Sequence, residues 1–168
     1  MRHRGRRGVS LVEILIVVVI IGILAAIAVP KFSNGAVLSH ERSLKEQLRF
    51  LRTQLSLYST QHLNIYPGYP GGNLGQKASE RVMIAQLTQA TDAEGHTSAV
   101  AEGPYAWGPY LQKIPVNPIN GSSAVKMLAP GEAFIADGTT GWLYEPATGE
   151  LRVNLMGADS SGQLFSDY

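Results

Sequence analysis

Residues 14–29, ILIVVVIIGILAAIAV, form an uninterrupted apolar run of 16, and no charge occurs from Ile14 to Pro30. Such a run cannot sit on the surface of an ordinary soluble domain, so it demands lipid or the centre of an assembly. At about 1.5 Å per residue, a helix over residues 9–29 covers roughly 31 Å, enough for a bilayer core. Four arginines, Arg2, Arg4, Arg6 and Arg7, precede it and read as the cytoplasmic flank of an inserted segment. Without residues 1–8 the remaining chain carries 10 basic against 13 acidic residues, so charge does not indicate nucleic-acid binding. The absence of cysteine excludes a disulfide-stapled miniprotein, a Cys-ligated zinc site and a thiol enzyme.

Three readings fit the first 30 residues. One is a cleaved secretory signal, with Ala26 and Ala28 in an A-x-A arrangement. Another is a simple single-pass anchor. Neither gives a reason for Glu13, a carboxylate that costs about 2.5 to 3.5 kcal/mol inside an apolar segment. The third reading supplies one. Cleavage between Gly8 and Val9 creates a free ammonium on Val9 and leaves Glu13 about one helical turn away, placed to pair with the amine of an adjacent subunit.

The string RRGVSLVEILIVVVIIGILAAIAVPKF, residues 6–32, resembles the leader and N-terminal helix of type IV pilins and type II secretion pseudopilins. The resemblance implies cleavage after Gly8 by a prepilin peptidase, methylation of the new Val9 amine, and a role for Glu13 in assembly register. Val9 departs from the phenylalanine usual in the family. Gly22 and Pro30 match family positions at which the helix loosens on passing from bilayer to filament, and both residue types weaken helix continuity on their own account. The implied fold is α+β, a pilin fold whose long N-terminal helix, half transmembrane and half amphipathic, packs on a small C-terminal antiparallel sheet.

Residues 31–63 carry Val37, Leu44, Leu48, Leu51, Leu55 and Tyr58 at largely three and four spacings, which predicts an amphipathic helix with a core-facing stripe. Glu41 with Lys45, and Arg42 with Glu46, lie four apart and are expected to pair along it. The stretch IYPGYPGGNLG is a breaker-rich loop without a phosphate-cradling pattern. Ser79 then caps a short helix that ends near Thr91. Residues 103–123, rich in Pro and aromatics, form an ordered loop, and GPYLQKIPVNP within it resembles a segment of major pseudopilins. Strands are expected at residues 125–128, 133–136, 141–145 and 150–154, the last two joined by a hairpin at Pro146-Ala147-Thr148-Gly149. The chain thus divides into a leader (1–8), a transmembrane or filament-core helix (9–30), an amphipathic helix (31–63) and a periplasmic head (64–168).

No catalytic constellation is present: the four histidines are scattered and no nucleophile motif occurs, so the chain is not expected to be an enzyme. The resemblance implies a calcium ion in a C-terminal loop, for which Asp137 and Asp159 are the first candidates; ordinary Asx and Ser turns are the alternative, and no EF-hand spacing occurs. No other cofactor is indicated. Residues 31–63 carry 5 basic against 2 acidic residues and residues 64–168 carry 5 against 10, so Arg49 and Arg52 are candidates for contact with an acidic head, in the same subunit or the next. The expected function is that of a type II secretion pseudopilus subunit in the bacterial inner membrane, N-terminus cytoplasmic and head periplasmic. Its implied partners are other pseudopilins, the peptidase and methyltransferase, an assembly platform and an ATPase. A type IV, competence or adhesion pilin is the first alternative, and a secreted or anchored soluble-domain protein the second.

Overall fold

The computed structural model describes residues 10–168, with the side chains of residues 27–34 set aside. Helix α1 spans Leu11–Gln61. It runs through Pro30, and the loosening expected there falls among residues whose side chains are outside those described. Chain contacts divide between Ser39 and His40. In the first unit the apolar side chains from Leu11 to Leu24 are all exposed, as is Val37, which the spacing had placed on the core stripe. Among the described residues no helix is long and apolar enough to cross a membrane; the described side chains of the apolar run stop at Ala26, whereas the run in the sequence continues to Val29.

In the second unit the stripe is buried as the periodicity required: Leu44, Leu48, Leu51, Leu55 and Tyr58 are almost fully enclosed. Each contributes about 1.5 to 3 kcal/mol of burial. The helix stops at Gln61, two residues before the expected Leu63, because Leu63 and Asn64 adopt left-handed conformations with φ of 56° and 61°. The Asn64 N–H then closes the helix end on the Ser59 carbonyl at 2.9 Å.

Helix α2, Glu80–Thr88, begins as expected, with the Ser79 side chain accepting from the Val82 N–H. Met83 and Leu87 fill the core. It ends earlier than anticipated, since Ala90–Thr91 forms strand β1, paired antiparallel with β2 at Thr97–Ser98. This two-residue pairing has no periodic signature in the sequence.

The main sheet has the order β3 (Val125–Met127), β4 (Trp142–Glu145), β5 (Glu150–Val153). It is mixed rather than antiparallel as expected: β4 pairs antiparallel with β5 but parallel with β3. The stretch of residues 133–136 read as a strand is not one, which is the reason for the difference. It serves as part of the return connection that brings the chain back to the starting end of β3, with Ile135 exposed and the Phe134 ring under the Arg152 guanidinium at 4.7 Å. The β4–β5 hairpin lies where the Pro-Ala-Thr-Gly sequence placed it. Its Gly149 has φ +75°, and a Cβ there would collide with the Tyr66 ring, so the turn needs glycine for two reasons.

Trp142, Tyr144, Leu151 and Val153 complete the core against the α1 stripe. The Pro-rich loop is ordered by backbone bonds from the Tyr110 and Leu111 N–H groups to the Leu87 carbonyl, both 2.9 Å, and by the Trp142 indole donating to the Pro115 carbonyl at 3.0 Å. Gln86 ties the glycine-rich loop to α2: it accepts from the Gly68 N–H at 2.7 Å and donates to the Tyr69 and Gly95 carbonyls at 2.9 and 2.8 Å. Gln86→Ala leaves the buried Gly68 N–H and Gly95 carbonyl without partners, while the Tyr69 carbonyl keeps the Gly72 N–H, and urea denaturation of the full chain in detergent should show a loss of about 2 kcal/mol or more. An unchanged midpoint would remove Gln86 from this role.

Candidate assembly site and head carboxylates

Gly8 and Val9, the expected cleavage pair, lie outside the described residues. Glu13 stands in the first turn of α1, and its Oε2 accepts from the Ser10 N–H at 3.4 Å. Ser10 precedes the helix and Glu13 is its third residue, so the pair forms one half of a capping box. The S-x-x-E spacing of Ser10 and Glu13 is the sequence signal of this contact. Gly22 lies on the helix with open space where a Cβ would stand.

The two calcium candidates occupy separate loops, and neither joins a cluster of three acidic or histidine side chains among the described residues. Asp137 Oδ1 accepts from the Thr139 N–H and hydroxyl and from the Asn154 amide, while Oδ2 accepts from the Lys126 ammonium at 2.9 Å. Buried Asn154 completes the loop by accepting from the Asp137 and Gly138 N–H groups. Asp159 Oδ1 accepts from the Ser161 N–H and hydroxyl and the Gln163 N–H. Its Oδ2 takes the Tyr168 hydroxyl at 2.5 Å and the Lys45 ammonium at 3.1 Å. These donors hold both carboxyls well below the usual carboxylate range, the Lys126 bond leading at Asp137 and the Ser161 bond at Asp159.

The charged residues of α1 point to partners other than those the helical spacing predicts. Glu41 accepts from the Ser160 N–H and hydroxyl at 2.8 and 2.6 Å, and Lys45 goes to Asp159, so the two do not pair with each other. Arg52 donates to the Leu151 carbonyl and the Tyr168 main-chain oxygen, both at 2.7 Å through Nη2. Its partner is therefore backbone of the same chain rather than an acidic surface. Sequence reasoning could not find these contacts, because they join residues about a hundred positions apart.

A further group missed in the sequence is His62, fully buried and stacked on Tyr58 with ring centroids 3.8 Å apart. Its Nδ1 lies 2.7 Å from the Tyr58 carbonyl, which requires the Nδ1–H tautomer, and Nε2 then accepts from the Thr91 hydroxyl at 2.9 Å. Burial pushes its pKa down. Nearby, Asp92 takes the Glu94 and His96 N–H groups on Oδ1 and the His96 ring on Oδ2, closing the turn between β1 and β2.

Residues 3–29 match the family described as the prokaryotic N-terminal methylation motif. The type II secretion system core protein G of Klebsiella pneumoniae is 28% identical over 127 residues, covering 76% of this chain and 77% of that protein. The chain is pseudopilin-like. The core protein G of Aeromonas hydrophila is 26% identical over 132 residues, 79% of each chain. The likeness of this pseudopilin-like chain to both proteins therefore extends beyond the apolar helix into the head. No solved structure gives a significant match.

Acid should loosen the head in two steps. His62 is held neutral when folded, so its stabilising contribution is complete above the unfolded value near ~6.5 and declines as the pH falls below it. Asp137 and Asp159 are held ionised, so their contribution is complete above roughly 4 and declines below that. Thermal midpoints of the full chain measured at successive pH values should show both declines, and His62→Gln should remove the first alone. A midpoint flat from neutral pH into the mildly acidic range would contradict the His62 assignment.

Proposed function

We propose that the chain is a structural subunit of a type II secretion pseudopilus, made as a precursor, inserted in the inner membrane and polymerised into a filament that drives protein export. The supporting observation is the combination of the N-terminal motif over residues 3–29 with likeness to two core G proteins across about three quarters of the chain. A shared leader alone would fit any prepilin-like protein; a shared head narrows the class.

The parts have separate tasks. Cleavage after Gly8 removes the arginines and exposes the Val9 amine. Residues 9–29 then anchor the subunit with its head on the far side of the membrane. The Glu13 carboxylate, which accepts from the Ser10 N–H, stands in the first turn of α1, at the end of the chain that cleavage would expose. In the filament it pairs with the amine of a neighbouring subunit, which neutralises both charges in an apolar setting and fixes register. Gly22 and Pro30 let the helix adjust as the subunit leaves the bilayer. The subunit performs no chemistry; an ATPase and platform supply the work.

Mass spectrometry of the purified protein should find a mature chain starting at Val9. A start at Val29 or an intact Met1 would overturn the reading in favour of a secretory signal or a simple anchor. Glu13→Ala should still enter the membrane but fail to form filaments when overproduced, and normal filaments from that variant would remove Glu13 from the assembly step.

A further inference from the structure

The segment over residues 157–168 closes the head with little apolar burial of its own: Phe165 is buried, while Leu164 is exposed. Its attachment to α1 is polar and centres on Asp159, whose side chain is only 3% exposed. A buried carboxylate is costly unless its charge is compensated. Compensation comes from one tethered cation. The Lys45 ammonium lies 3.1 Å from Oδ2 and also stands 4.4 Å from the centroid of the Tyr168 ring, whose hydroxyl donates to the same Oδ2. One turn earlier on α1, Glu41 holds the Ser160 N–H and hydroxyl, and two turns beyond Lys45 Arg52 holds Tyr168. These three positions share one flank of the helix.

We infer that the Lys45 ammonium is the counter-ion that closes this segment, in the place where the family resemblance implies calcium, and that the segment therefore closes independently of calcium. Calcium requires six to eight oxygen ligands. Around Asp159 Oδ1 the neighbours include two backbone N–H groups, which present hydrogens and cannot ligate. Around Oδ2 the place of a cation is taken. Asp137, the second candidate, is matched in the same way by Lys126 and by the Asn154 amide. Each of the two candidate carboxylates is thus paired with a single lysine, and binding a dication at either would require expelling an ammonium and breaking backbone bonds. The inference concerns the stability of the head and does not depend on its role in a filament.

The test is thermal unfolding of the full chain in detergent micelles, followed by circular dichroism, in millimolar calcium and in excess EGTA. The two midpoints should coincide, and calorimetric titration with calcium chloride should show no binding heat. Lys45→Gln should lower the midpoint by about 3 °C or more and speed proteolytic clipping within residues 157–168, in either buffer. Lys45→Arg should restore both. If Lys45→Gln yields no folded protein, Asp159→Asn carries the same comparison, since it removes the charge while keeping the lysine and the shape. A midpoint that drops on chelation, saturable calcium binding, or Lys45→Gln protein that melts and resists clipping like the parent would each overturn the inference.

Discussion

The burial of one helical stripe governs the head. Its own elements are small, a nine-residue α2 and strands of two to four residues, and a three-stranded sheet of that size is not stable without a surface to pack on. Leu44, Leu48, Leu51, Leu55 and Tyr58 provide that surface, and the large aromatic residues Trp142 and Tyr144 are fully buried with them in one core. The remaining loops are then fixed by polar contacts: Gln86 on the glycine-rich loop, Asn117 donating to the Gly141 carbonyl, and Asn154 on residues 137–140. The flank of the same helix carries Glu41, Lys45 and Arg52, which bind the C-terminal segment. One amphipathic element therefore serves as core on one face and as polar clasp along its edge.

The other part of α1 obeys a different rule. Its apolar residues from Leu11 to Leu24 are exposed on an isolated subunit, a state incompatible with water and suited to lipid or to neighbouring helices. A surface uniformly apolar in all directions provides affinity without register. Glu13 supplies the one directional group in that stretch, and its capping contact with Ser10 accounts for its stability at a helix end before any partner is present.

The sequence was most legible where a local pattern carried the information. The three-and-four spacing named the core stripe residue for residue from Leu44 onward, Ser79 announced α2, and the Pro-Ala-Thr-Gly turn placed the β4–β5 hairpin. It was least legible where partners are remote. Residues 133–136 have strand-like composition, yet no neighbouring strand offers them a ladder, and the chain instead uses them in the connection that makes β3 and β4 parallel. His62 gave no sign, because a lone histidine acquires meaning only when Tyr58 and Thr91 close around it.

The N-terminal likeness therefore belonged to the sequence by itself: a run of apolar residues, a single carboxylate beside it and arginines before it determine how that segment meets water and apolar surroundings, since those are properties of consecutive residues. The partners of the head carboxylates belonged to the tertiary structure. Asp137 and Asp159 are acidic residues in loops whether they bind a metal, water or a lysine. Only the fold, by bringing Lys45 across from α1 and Lys126 from β3, decides which positive charge each one meets, because electrostatic pairing depends on distance in space and burial rather than on order along the chain.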